Sequence, residues 1–172
     1  NHGIRILPGP SSMWFDALGQ RLEAPFLPGF DTLGTLRRIL STGHEYSWFV
    51  LTQKIIKKEF ALSGSEQNPD LTSGRWIEVL KSRRAKGTPP SVEAFKQHGE
   101  DFVVRDNLRD LVAGMNALAG NSLIDHDRLN AQIAARDREI DNPFCKDAQV
   151  TAIHGARKYL GDRLVRTAKP HK

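Results

Sequence analysis

Tyr46 and Trp48 sit close together in the run EYSWFV, and each joins a broad apolar ring to one polar handle. Beside the start of a strand, such a pair can present a wall to a flat apolar ligand, and Trp48 serves equally well as core. Arg5 lies in a proline-bounded segment. There it can hold a carboxylate or transfer a proton in a dry site, or remain an ordinary exposed arginine. Glu66 belongs to SGSEQNPD, a loop rich in hydrogen-bonding groups that can line a polar ligand site. The bend at Asn68, Pro69 and Asp70 accounts for the same residues as turn chemistry.

Other chemistries fail on spacing. The six histidines include no His-Glu-x-x-His arrangement and no pair on one helical face, so no metal site is expected. Ser63, Gly64 and Ser65 lack the strand, Gly-x-Ser-x-Gly turn and helix of a serine hydrolase. Cys145 is the single cysteine, which excludes an intrachain disulfide and a thiolate metal cluster and reads as an inert thiol. Gly29 and Gly34 are too weak a match for a phosphate loop. The glycine-rich turn and following acidic residue that bind a flavin adenine dinucleotide are not found in the chain.

The elements that must position these groups follow from composition and pattern. With 172 residues, 39% hydrophobic and 26% charged, the chain suits one globular domain, residues 1–172, with its own core. Its longest apolar run, near Trp48 to Leu51, is far shorter than the ~20 residues of a membrane span. Asn1 opens a segment without secretory character, which predicts a piece trimmed from a longer protein, and the lone cysteine fits a reducing cytoplasm. The net charge of +5 concentrates in Lys54 to Lys58, Lys81 to Lys86 and the tail from Arg157. A free-standing module for nucleic acid or another polyanion is therefore the alternative reading, although interleaved acidic residues favour a solvated basic face.

A hairpin is expected from Met13 to Asp16 through Gly19 to Gln20–Leu22, and a loop across EAPFLPGFD. Asp31 should cap a helix whose Leu33, Leu36, Ile39 and Leu40 share one face, with Gly43 after it. Ser47 to Thr52 should be a buried strand, and Gln53 to Leu62 a helix with Ile55, Ile56 and Phe60 inward. Further helices are expected around Trp76 to Leu80, at Ser91 to His98, after Asp106 with Leu108, Leu111, Val112, Met115 and Leu118 in register, and after Asp125. Phe102 to Arg105, Gln149 to Ile153 and Arg163 to Thr167 read as strands. Separated strands and clustered helices define an α+β class: a small mixed or antiparallel sheet with several packed helices.

In order and spacing, GIRILPGPSSMWFDALGQRL, YSWFVLTQKIIKKEF, DNLRDLVAGMNALAG, DHDRLNAQIAARDREIDNPF and ARKYLGD resemble the inserted substrate domain of bacterial FAD-dependent dehydrogenases related to ketosteroid dehydrogenases and fumarate reductase flavoproteins. Phe15 to Leu22, with Gly19 and Arg21, is similar to that family's Asn-Arg-x-Gly-x-Arg-Phe strand without the Asn-Glu that follows it. Trp48 to Leu51 matches its Trp-Phe-(Ile or Val)-Phe strand, with Thr52 in place of the aspartate, and Asn107, Leu108 and Leu111 echo its Thr-Leu-x-x-Leu helix. The resemblance implies a cap domain that binds a small-molecule substrate over the flavin, FAD being held by a Rossmann-type domain flanking this segment in the parent chain. It also implies an oxidoreductase inactive as the isolated segment, with no cofactor of its own. On that view Arg5 and Tyr46 are the catalytic candidates, and Phe26, Phe30 and Glu66 contact substrate.

Overall fold

The computed structural model describes residues 10–27, 31–59, 77, 90–156 and 170–172. Arg5, Phe30, Glu66, the helix around Trp76 and the strand at Arg163 to Thr167 lie outside that set. The architecture is α+β. Strand β1, Met13–Asp16, pairs antiparallel with β2, Ser47–Val50, and the two make a two-stranded sheet. Among the described residues the helices with full bounds are α1 (Thr32–Leu40), α2 (Gln53–Glu59), α3 (Pro90–His98), α4 (Leu108–Ala119), α5 (His126–Glu139) and α6 (Ala148–Ala156).

The ribbon follows from alternation. Met13 and Phe15 turn to one face and are buried, while Trp14 and its cross-strand partner Phe49 stack on the other with centroids 4.5 Å apart. Only one face of β2 is therefore covered, so the strand expected to be buried is half-buried and Phe49 is exposed. The turn after β1 is closed by Asp16, whose Oδ1 accepts the N–H groups of Leu18 and Gln20. Gly19 has φ of 72°, and a Cβ there would stand 3.3 Å from Ile124, so both backbone and space call for glycine. The expected return strand shrinks to a single bridge between Phe15 and Arg21. That bridge is flanked by ladder bonds from Asp16 N–H to Gln20 O and from Leu22 N–H to Trp14 O, so the Arg21 N–H faces away from β1 and bonds Gln132 Oε1, 2.8 Å away on α5.

Arg21 is pulled the same way by its side chain, which bonds Asp147 and Gln149. Burial alone would raise the Asp147 carboxyl, but the Arg21 guanidinium and the N–H groups of Val150 and Gln149 outweigh it and hold it below its ordinary 3.8. A lowered folded-state value means stability that is complete above the unfolded value and is lost as pH falls through the folded one. Acid titration of unfolding is therefore expected to show a loss of stability in the wild type below roughly pH 4 that Asp147→Asn does not show. Parallel acid limbs for the two proteins would refute this.

The core gathers Met13, Phe15, Val112, Met115, Ile124 and Leu129, with Trp48, Val50, Leu108, Leu111 and Ile133 packed against it. Helices α4 and α5 supply most of it because their caps are strong. Asn107 accepts from Asp110 N, Gly120 takes the left-handed conformation with φ of 65°, and Asp125 accepts from Arg128 N. Asn116 ties the connection by bonding both backbone groups of Ile124.

Four further expectations change. The cap of α4 is Asn107 rather than Asp106, and Phe102 to Arg105 is not a strand: it lies against α4, with Val103 Cγ1 2.5 Å from where a Cβ on Gly114 would stand, and a helix offers no ladder partners. Gln149 to Ile153 is helical, because Asp147 accepts from Val150 N and starts α6 despite the β-branched residues. In α1, Asp31 caps as expected, yet of the four apolar residues only Ile39 is buried. Packing of Phe26 at Gly34 and ion pairs from Arg38 to Asp16 and Glu23 turn Thr35 and Ile39 inward and leave Leu33, Leu36 and Leu40 exposed.

Candidate functional site

An apolar cleft of about 1230 Å³ runs beside α4, walled by β2, α3 and the segment from Asp101 to Asn107. Leu108, Leu111, Met115, Leu118 and Ala119 all line it, so it follows one face of the helix along its whole length. Twelve residues at about 1.5 Å of rise make that length about 18 Å.

Tyr46 and Trp48 both border this cleft, their rings meeting edge to face at 5.7 Å. His44 supports the other side of Tyr46. Asn121 Nδ2 donates to the Tyr46 hydroxyl at 2.9 Å and to Ala119 O, while its Oδ1 accepts from Leu123 N. The amide is thereby oriented, and the Tyr46 oxygen serves as acceptor with its own proton free to point elsewhere. Asn121 stands 75 residues from Tyr46 and reads in the sequence only as a helix break. Phe26, by contrast, is packed at the first turn of α1 and is not among the residues lining the cleft.

At α5 the cleft reaches Arg136 and Asp137. Arg136 is 4% exposed and forms the centre of a buried polar clamp. Its Nη1 donates to His171 O at 2.6 Å and its Nη2 to Ser11 O at 2.8 Å. Glu59 completes the clamp by accepting from Ser11 N at 2.9 Å and pairing with His171 Nδ1 at 2.6 Å, while His171 N donates to Ser11 Oγ. Burial draws the Arg136 guanidinium below its ordinary value, against the opposing charges of Asp137 and Glu59. Among the described residues five cations pair with acids: Arg21 with Asp147, Arg38 with Asp16 and Glu23, Lys96 with Glu93, Arg136 with Asp137 and Lys172 with Asp141.

A flavin dinucleotide needs free backbone donors at a helix start for its pyrophosphate. Among the described residues the starts of α1, α5 and α6 already hold the carboxylates of Asp31, Asp125 and Asp147, which would repel it. These residues do not form a phosphate cradle. No group of three or more metal-ligating side chains occurs among them, and no described helix is long and apolar enough to cross a membrane.

The family model for the FAD binding domain matches residues 1–170, and the chain belongs to that family, whose cofactor is FAD. It is 58% identical over 172 residues to a KsdD-like steroid dehydrogenase of Mycolicibacterium smegmatis, covering 100% of this chain and 31% of that protein. KsdD-like steroid dehydrogenases of two Mycobacterium tuberculosis strains are 56% and 55% identical over 171 residues, each covered over 30% of its length. The resemblance drawn from the motifs is thus borne out at the level of the FAD-dependent dehydrogenase family, and the chain spans about a third of the curated relatives it matches. No solved structure matches it.

Proposed function

We propose that this chain is the substrate-binding cap of a FAD-dependent dehydrogenase acting on steroid-like ring compounds, with the dinucleotide held by the rest of the parent protein. The observation that carries the reading is the cleft along α4, long and apolar, with one oriented phenol on its wall. An apolar pocket with a few placed polar groups is the usual form of a small-molecule site. The names of the relatives favour a steroid, whose fused rings suit a cleft of that shape. In this reading the chain binds the rings, excludes water and holds the Tyr46 hydroxyl where a proton must move. Arg5, Phe30 and Glu66 belong to the proposal as further groups facing substrate, whereas Phe26, packed against α1, does not.

The test uses the intact, FAD-loaded parent protein with a steroid and a dye acceptor. Tyr46→Phe is expected to lower kcat/KM about a hundredfold, the scale of a lost proton-transfer group, while the flavin absorbance of the purified protein stays unchanged. Undiminished turnover removes Tyr46 from the chemistry. A wild-type parent that turns over no steroid defeats the substrate assignment.

A further inference from the structure

We infer that the free edge of β2 is a docking site for an extended segment, the residues that follow Lys172 in the parent protein, which pairs antiparallel with Ser47–Val50 as a third strand. This goes beyond the proposed function and rests on it only in taking the chain as part of a longer protein, as its span of about a third of its relatives supports. The open edge follows from the register. On β1 the backbone groups of Trp14 and Asp16 bond Leu22 and Gln20, so those of Met13 and Phe15 turn to β2 and meet their partners Val50 and Trp48. The N–H and C=O groups of Ser47 and Phe49 therefore point to the other edge, where among the described residues no hydrogen bond reaches them.

That edge opens on the cleft. Every residue from Tyr46 to Gln53 lines it, odd and even alike, whereas a sheet face would offer alternate residues only. Trp14, stacked on the Phe49 ring across the outer face, is not among the lining residues. The occupant is named by where the chain leads. His171 is buried and fixed by Arg136, Glu59 and Ser11, and Lys172 lines the cleft with its carbonyl held by Thr52 Oγ1 at 3.1 Å and its ammonium by Asp141. Thr52 lies just past the end of β2. A chain continuing from Lys172 along the edge runs from Thr52 towards Ser47, opposite in direction to β2, and covers the strand in about five residues at ~3.4 Å each. At about 1230 Å³ the cleft exceeds the roughly 300–1,000 Å³ of ordinary small-molecule sites, so a strand along β2 leaves the face of α4 to a ligand. It also gives a two-stranded ribbon, marginal by itself, the third strand that makes a sheet stable.

Hydrogen exchange resolved to single amides, in the intact FAD-loaded parent protein without steroid, tests this. The Phe49 amide is expected to exchange within about tenfold of those of Trp48 and Val50, which face β1 in any case. A larger gap means an open edge and overturns the inference, and this result needs no variant to fold. Proline placed singly at each of the roughly six positions after Lys172 should then release the Phe49 amide at alternate positions, since only alternate residues turn their backbone groups to β2. Protection that persists through all of them shows that a second copy or another part of the parent covers the edge, and overturns the inference as well. Steroid turnover is a separate measurement on the same protein. An unprotected Phe49 amide leaves the substrate assignment standing, and a parent that turns over no steroid leaves the strand standing.

Discussion

Arg136→Met is expected to destabilise the fold by about 3–5 kcal/mol, the range for removing one partner of a buried ion network. Methionine fills much of the space but offers no donor. The carbonyls of Ser11 and His171 then lose their partner in a dry interior, and Glu59, 7% exposed, keeps its charge with less to oppose it. The comparison that isolates the cause is a second variant in which Glu59→Leu accompanies Arg136→Met. Removing both charges should recover part of the loss, because replacing a whole buried ionic group by apolar side chains is often close to neutral. Urea unfolding followed by tryptophan fluorescence measures both, and a single-variant loss below about 1 kcal/mol would show that the clamp contributes little.

Phe15→Ala is expected to cost about 3–5 kcal/mol by a different route. Phe15 is 0% exposed and sits in β1 between the ribbon and the helices that supply Val112, Met115 and Leu129. Truncation to Cβ leaves a void lined by residues from several elements, none of which can collapse into it without leaving its own contacts. The same urea titration reads the effect, and Phe15→Leu should recover more than half of it. A loss under about 1.5 kcal/mol for the alanine variant would mean that the core repacks freely.

Much of this fold was legible because its signals are local. Asp31, Asp125 and Gly120 act on backbone groups within a turn of themselves, and the spacing of Leu108, Leu111, Val112, Met115 and Leu118 marks a helix without outside help. The misread stretches are those decided by distant partners. The return after Gly19 stops at one bridge, where Arg21 is held by Gln132 and Asp147, more than a hundred residues away. Phe102 to Arg105 has the composition of a strand and meets a helix. In Gln149 to Ile153 the β-branched residues suggest a strand, whereas the backbone follows Asp147, whose carboxylate accepts from Val150 N and starts a helix.

The candidate site divides along the same line. The aromatic pair Tyr46 and Trp48 was visible because both members lie within one strand start. Asn121, Arg136 and Asp137 were not, since Asn121 reaches Tyr46, and Arg136 and Asp137 reach the cleft, only through the packing of α4 and α5, and none carries a signature in its own neighbourhood. The exposure of Leu33, Leu36 and Leu40 was hidden for a related reason: periodicity tells which residues share a face and not which way the face turns.

The meeting of Ser11 with His171 has a mechanical consequence. The two residues, 160 positions apart in sequence, are held side by side by the Arg136 guanidinium and the Glu59 carboxylate. Drawing either one away breaks bonds at both charged groups at once, so the pair resists separation as a unit and anchors β1 to the end of the chain.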